Sequence, residues 1–372
     1  MKKSLGLYIH VPFCLKRCGY CDFCSLAGKN EEYMTAYADE LCRRIAGAAE
    51  AVREYRVDTV YFGGGTPSLL PLSCVERIMD AVFDACEVDA NAEITLECNP
   101  ATASACYLSA LRSMGINRLS MGLQSAVDSE LALLGRVHTA SDFVHSLEDA
   151  RTAGFDNISA DLMYGIPEQD AKSLEYSLRF LTALSPEHIS AYGLMLEEGT
   201  ELERKRNTLR LADDDGQYDM YMLLSSFLGE RGYEKYEISN FARDGRYSRH
   251  NMRYWLGEEY LGFGAAAHSC FGGNRFGNSR DVDAFIRGAD ITEESYALTE
   301  SDVKREYVML RLRLCSGIDL ADYRARFSED FIEAFPRLGD YIDGGFMRLS
   351  SGRLAFTDKG FFVSNSILCE LI

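Results

Sequence analysis

The chain has 372 residues, 47% of them hydrophobic, and carries 39 Lys+Arg against 57 Asp+Glu, a net charge of -18. That length holds one large domain of roughly 200 to 250 residues and a smaller one, while the acidic balance argues against nucleic acid, which is bound through basic patches and counterion release. Twelve cysteines without a small-domain disulfide rhythm, and an opening Met-Lys-Lys that runs straight into the first strand, set an expectation of a reducing cytoplasm; no apolar run approaches the ~18 residues of a membrane span.

Leu7 to Val11 reads as a buried strand, and directly after it Cys14, Cys18 and Cys21 form C-x3-C-x2-C. Three thiolates so close on a short loop can hold three irons of a [4Fe-4S] cluster and leave the fourth open to an exogenous ligand. Structural zinc sites use ligand pairs set well apart, and no second pair follows at a suitable distance. A zinc knot completed by Cys24, or simply several buried thiols, stays as the alternative.

A helical pattern covers Glu31 to Val52, then comes a strand over Asp58 to Phe62 that ends in Gly63-Gly-Gly-Thr-Pro67. Further strands are expected at Glu93–Glu97, Arg118–Met121, Asn157–Leu162 and His188–Gly193, with helices near 103–114, 128–134, 141–153 and 171–184. Six strands alternating with helices imply parallel pairing through right-handed crossovers. Each motif falls just after a strand's C-terminal end, where a (βα) barrel builds its site.

After Gly199 the rhythm changes. A helix is expected over Leu211–Leu228 and a strand over Tyr233–Phe241, followed by the polar and aromatic stretch Ser248-Arg-His250-Asn-Met-Arg-Tyr254-Trp255. From Thr299 onward a small module follows, with helices over Asp302–Leu314 and Leu320–Phe327. A hairpin over Gly345–Thr357 turns on a Ser-Gly pair.

The glycines of Gly63-Gly-Gly-Thr-Pro67 do not have the spacing of a phosphate loop, but a backbone free of Cβ can approach a ligand closely. A tight turn alone would also use them. Glu97, Gln124, Arg136 and Asp161 lie at or just after successive strand ends. Singly, each is more often a cap or an ion-pair member; together they argue for one converging pocket, with Arg136 a planar donor for a carboxylate. His250 beside aromatic rings could meet heme iron, or be an ordinary satisfied histidine; His10, His138, His145 and His188 carry no comparable argument.

The segment Tyr8-Ile-His-Val-Pro-Phe-Cys14-x3-Cys18-Gly-Tyr-Cys21-Asp-Phe resembles the signature of radical S-adenosylmethionine (SAM) proteins. The nearest branch holds oxygen-independent coproporphyrinogen III dehydrogenase and the HemW heme chaperones. The resemblance implies an α/β fold: a partial (βα)6 radical SAM barrel with a smaller C-terminal α+β, winged-helix-like module. On that basis residues 1–235 form the core, 236–298 a connecting region and 299–372 the C-terminal domain. It also implies a [4Fe-4S] cluster on Cys14, Cys18 and Cys21 with SAM on the fourth iron, and SAM contacts at Tyr8, Tyr20, Gly64, Gly65, Thr66, Glu97, Gln124, Arg136 and Asp161.

Two functions compete within that branch. One is oxidative decarboxylation of coproporphyrinogen III; the other is holding heme and delivering it to acceptor hemoproteins, membrane respiratory enzymes among them. The dehydrogenases continue their motif as C-x3-C-x2-C-x-C and carry a longer stretch before the cluster, whereas here Phe23 stands at that position and thirteen residues precede Cys14. His250-Asn-Met-Arg-Tyr-Trp255 resembles the H-N-x-x-Y-W motif that the chaperones link to heme. The chaperone is therefore the expected function; a radical SAM enzyme on another substrate leaves the His250 motif unexplained. The chemistry calls for an electron donor that no residue identifies.

Overall fold

The computed structural model describes residues 2–100 and 102–372. Twelve strands form one sheet. In chain order they are β1 Lys3–Val11, β2 Tyr55–Gly64, β3 Val88–Cys98, β4 Arg118–Gln124, β5 Ile158–Tyr164, β6 His188–Gly193, β7 Glu234–Lys235, β8 Asn240–Ala242, β9 Tyr260–Phe263, β10 His268–Phe271, β11 Asn274–Asn278 and β12 Thr292–Ala297. Their spatial order is β12-β11-β10-β9-β1-β2-β3-β4-β5-β6-β8-β7. Strands β1 to β6 are parallel neighbours in sequence order, the pairing expected from the alternation and the partial (βα)6 barrel that the resemblance implies.

The crossovers are α1 Glu31–Gly47, α2 Leu72–Ala85, α3 Ala105–Ser113, α4 Asp128–Leu134 with α5 Ala140–Thr152, and α6 Ala171–Ala183. Their starts follow from side-chain caps: Asn30 accepts from the Tyr33 amide, and Thr139 and Asp142 form a capping box. Between register shifts the strands alternate. On β1, Leu5, Leu7, Ile9 and Val11 are wholly buried against the helix layer, while Gly6, Tyr8 and His10 point the other way, into the barrel. Helix α2 answers with Val75, Ile78, Met79 and Val82, all buried.

Three expectations are corrected. The strand over Tyr233–Phe241 is two short ones, β7 and β8, which pair antiparallel with each other. Between them the chain leaves the ladder: Glu237 bridges to Leu314, and the Ile238 amide donates to the Arg313 carbonyl at 3.0 Å. The helix expected to reach Val52 ends at Gly47. The stretch 236–298, read from the sequence without strands beyond Phe241, instead extends the sheet: β9 pairs parallel with β1, and β10, β11 and β12 follow antiparallel.

Two helices complete the frame, α7 Asp214–Gly229 and α8 Arg249–Leu256. The C-terminal module begins with α9 Glu300–Arg311 and holds a three-stranded sheet of Ile318–Asp319, Arg353–Phe356 and Met347–Ser350. The Ser351-Gly352 turn joins the expected hairpin with both residues at positive φ, 52° and 74°. Its core of Val308, Leu312, Tyr323, Phe331, Leu354 and Phe356 includes Tyr221 from α7. Lys235 Nζ reaches Asp358 at 3.0 Å across the junction. Among the described residues, no helix is long and apolar enough to cross a membrane.

Candidate functional site

The cysteine loop is held at its neck and its middle. Phe13–Cys14 pairs parallel with Leu26–Ala27, and the Leu26 amide donates to the Pro12 carbonyl at 2.6 Å. Further in, the Gly19 amide donates to Leu134 at the end of α4, and the Leu202 amide donates back to Gly19. The glycine motif clamps the same loop: the Gly65 amide donates to Val11 O at 2.8 Å, the Thr66 amide to Phe13 O at 2.7 Å, and the Thr66 hydroxyl to Cys14 Sγ at 3.6 Å. A Cβ on Gly65 would lie 2.7 Å from Phe13 O and 2.9 Å from Phe13 N, so this approach requires glycine.

The thiols of Cys14, Cys18 and Cys21 are half-buried and free of disulfides. Burial pushes the Cys14 and Cys21 thiols up, and neighbouring sulfur adds to it: Cys18 acts on Cys14, and both act on Cys21. The three thus lie within electrostatic reach of one another. Among the described residues, no three His, Cys, Asp or Glu side chains are close enough together to hold a single metal ion. Cys24, the fourth thiol of the alternative zinc reading, is buried, with its Sγ turned to the Arg280 carbonyl at 3.7 Å. The donor set fits a [4Fe-4S] cluster with one iron left without a protein thiolate.

Beside this loop the strand ends bring the other expected residues together. Glu97 Oε1 accepts from the Tyr61 hydroxyl at 2.8 Å and Oε2 from the Gly64 amide at 3.1 Å. Burial lifts its carboxyl to about 7, opposed by the Tyr61 bond, with Asp161 adding to the rise. Asp161 is raised to about 6 by burial, opposed by Ser190, Arg118 and Ser120, whose hydroxyl donates to Oδ1 at 3.3 Å. Gly64 takes φ 115°, and a Cβ there would strike the His10 ring at 2.5 Å. His10 itself is occupied, facing the Tyr8 hydroxyl at 3.0 Å and the Cys24 carbonyl at 3.1 Å.

Arg136 stands between the two halves of the site. Nη1 donates to Cys18 Sγ at 3.6 Å, and Nη2 to Asn99 Oδ1 at 2.9 Å and Gly122 O at 3.0 Å. Its Nε is buried without a partner. Gln124 is left-handed, φ 70°, at a register shift in β4. Tyr20 lies in the electrostatic reach of Arg136, Cys18, Cys21 and Asp161. Tyr61, Asn99 and Ser120 were missed in the sequence. Asn99 sits in the Glu-Cys-Asn-Pro100 motif, so its signal was present; the other two are ordinary strand residues that only register turns inward.

His250 occupies the opposite end of the barrel. Helix α8 lies under the strand starts, with the Arg249 and His250 amides donating to Glu93 at 3.1 and 3.0 Å. The His250 ring is wholly buried; Nδ1 faces the Thr59 hydroxyl and Nε2 the Tyr254 hydroxyl, both at 2.9 Å. It stacks on Tyr61, centroids 5.2 Å apart and planes at 25°, and burial lowers it to about 3. Both nitrogens are thus engaged, and an axial bond to iron would require releasing one.

An open parallel barrel with three free thiols on the loop at its C-terminal mouth and polar groups at successive strand ends defines a radical SAM protein. The model of the Radical SAM superfamily matches residues 8–181, and that of the HemN C-terminal domain residues 298–363. The chain is 34% identical to heme chaperone HemW of Bacillus subtilis (strain 168) over 97% of each chain. It is 32% identical to heme chaperone HemW of Mycobacterium tuberculosis (strain ATCC 25618 / H37Rv), covering 100% of this chain and 95% of that one. It is also 34% identical to radical S-adenosyl methionine domain-containing protein 1, mitochondrial, of Bos taurus, over 99% and 87%. The solved structure of Escherichia coli coproporphyrinogen III oxidase (HemN) shares its fold, with a TM-score of 0.87 at 24% identity over 100% of this chain and 90% of that one. The chain belongs to the HemW family of the radical SAM superfamily, and membership implies a [4Fe-4S] cluster and SAM as cofactors.

Proposed function

We propose that the protein is a heme chaperone, which binds heme and passes it to acceptor hemoproteins. The observation that carries this reading is its kinship, along almost the whole chain, with proteins named for that activity. In this reading Cys14, Cys18 and Cys21 hold the cluster, which would supply an electron to SAM at its open iron. Tyr8, Tyr20, Gly64, Gly65, Thr66, Glu97, Gln124, Arg136 and Asp161 bind and orient SAM. The Glu97 carboxylate accepts hydrogen bonds from ribose hydroxyls, the Arg136 guanidinium donates to a carboxylate, and the glycines let backbone carbonyls approach an amino group.

His250 supports heme binding from the barrel floor, with Tyr254 Oη holding Nε2 until a ligand competes for it. The expected setting is the cytoplasm. Acceptors are hemoproteins, respiratory enzymes of the membrane among them, and a separate protein supplies the low-potential electron.

The test is an anaerobic heme titration of the cluster-reconstituted protein beside an assay with reductant, SAM and coproporphyrinogen III. Stable heme binding without protoporphyrinogen is the expected outcome. Robust decarboxylation would make the protein a dehydrogenase and overturn the reading.

A further inference from the structure

Arg118 opens β4 and is the bulkiest of the fully buried side chains, 1% exposed. Register fixes its direction. Thr95 pairs with Arg118 and Glu97 with Ser120, while Gly122 pairs with Asp161. Arg118 therefore shares the inward face of β4 with Ser120 and Gly122, one step below the level of Glu97. Its Nε has no hydrogen-bond partner, and the Thr95 hydroxyl beside it has none either. Among the described residues no carboxylate comes within ion-pair distance of it. A buried guanidinium in that state is costly, so the barrel retains a charge that local pairing does not explain.

Its surroundings say what the charge faces. Glu97 is met by Tyr61 of β2, Tyr8 of β1, Asp161 of β5, Tyr192 of β6 and Tyr254 of α8. Asp161 is met by Ser120 of β4, Ser190 and Tyr192 of β6, and Tyr61, with Tyr20 and Arg136 from the loops. The charge of Arg118 also reaches His188 and His250: both are kept neutral first by burial, His188 then by Arg118 and His250 by Arg253 and then Arg118. Two cations therefore reach this pair of acids, and Arg136 already uses both terminal nitrogens on Asn99, Gly122 and Cys18. Arg118 is the uncommitted one.

We propose that Arg118 is the internal counter-charge that keeps Glu97 and Asp161 ionised, and so holds them in the form that binds SAM. It is a positioning residue: it acts through the two carboxylates and does not touch the cofactor. This inference rests on the reading of Glu97 and Asp161 as SAM contacts. SAM brings ribose hydroxyl donors and a cationic sulfonium, which an ionised carboxylate accepts and attracts and a protonated one does not. With Arg118 in place, burial opposed by its charge sets the two acids at about 7 and about 6, so loss of this cation shifts both further toward the protonated form at neutral pH.

The experiment is SAM binding by calorimetry across pH with the reconstituted full chain as wild type, Arg118→Gln, Arg118→Lys and Glu97→Gln. Wild-type affinity should rise with pH through neutrality. In Arg118→Gln the midpoint should move upward by about one pH unit, weakening SAM roughly tenfold at neutral pH and recovering at alkaline pH. Arg118→Lys should restore most of the neutral-pH affinity. An Arg118→Gln midpoint equal to wild type, or a loss that is the same at every pH, overturns the inference while the pocket reading stands. Wild-type SAM affinity in Glu97→Gln overturns the pocket reading, and the inference with it. Should Arg118→Gln fail to fold, Arg118→Lys carries the test: it should bind SAM at neutral pH with most of the wild-type affinity, and a folded Arg118→Lys protein that has lost SAM binding equally at every pH overturns the inference.

Discussion

The Thr66 hydroxyl lies 3.6 Å from the Cys14 sulfur, and the Thr66 amide donates to Phe13 O at 2.7 Å. One residue of the glycine motif thus fixes both the backbone and the thiol of the first cysteine. The glycine motif and the cysteine loop are a single mechanical unit, joined where β1 and β2 end side by side.

That unit makes Gly65→Ala informative. Its Cβ would meet only backbone, Phe13 O at 2.7 Å, Phe13 N at 2.9 Å and Val11 O at 3.0 Å, so no side chain can swing away. Overpacking of this kind costs about 1–3 kcal/mol, concentrated at the neck of the cysteine loop. Iron and sulfide content after reconstitution should fall well below wild type, with a lower denaturation midpoint. Full cluster occupancy in the variant would show that the clamp is dispensable.

The cysteines separate by the same logic. Replacing Cys14, Cys18 and Cys21 together by Ala should abolish cluster absorption and EPR signals. Cys24→Ser should keep them, because the Cys24 sulfur is turned to the Arg280 carbonyl. Loss of the cluster in Cys24→Ser would make it a ligand and refute the three-thiol assignment.

The strand-helix alternation and the placing of motifs at strand ends were legible because local chemistry decides them: apolar runs such as Leu7 to Val11, glycines after Phe62, caps such as Asn30. Inward residues such as Tyr61, Ser120 and Arg118 were not legible, since parallel register between strands far apart in sequence gives them their partners. The extra strands were partly visible. Gly272-Gly273 sits between β10 and β11 with both residues at positive φ, a two-residue hairpin signal that the polar flanks obscured. The break in Tyr233–Phe241 depends on Leu314 and Arg313, contacts that no local pattern carries.

Glu237 offers a test of stability against pH. It is wholly buried, both oxygens unpartnered, with the Ser239 and Asn240 amides near it but short of hydrogen-bond geometry. Burial raises it from 4.5 to about 7. Between those values the unfolded chain has released a proton that the folded chain retains, so this group lowers stability as pH rises through that window. Glu237→Gln removes the penalty and should stabilise the protein by about 2 to 3 kcal/mol well above neutrality, with little effect at pH near 4. Urea denaturation of both chains across pH checks it; an equal gain at every pH would mean a packing effect instead.

Arg253 ties α8 to the barrel floor. It is 2% exposed, donates through Nε to Asp58 Oδ1 at 3.1 Å and through Nη1 to Glu259 O at 3.0 Å, and also bonds the Ser4 hydroxyl. Arg253→Met should cost about 3 kcal/mol, the low end for breaking a buried pair because Asp58 remains partly hydrated. The cysteine loop is built at the other end of the strands, so iron content should remain that of wild type. Thermal unfolding and iron analysis decide it: a parallel loss of cluster would mean that the floor and mouth are coupled.

His250 is where fold and proposed function meet most directly. Its imidazole is sandwiched between Thr59 and Tyr254 by hydrogen bonds and stacked on Tyr61, which in turn holds Glu97. If His250 serves heme, Tyr254→Phe frees Nε2 and should leave heme affinity equal or higher, whereas His250→Ala should weaken it at least about tenfold, roughly 1.4 kcal/mol. The Soret spectrum gives a second readout, since loss of an imidazole ligand shifts it and loss of a mere wall residue does not. His250→Gln keeps one hydrogen-bonding group of similar reach, so folding should survive in at least one of the two variants. Wild-type heme affinity and spectrum in a folded His250 variant would confine this residue to the barrel floor, with Thr59, Glu93 and Tyr254 explaining it fully.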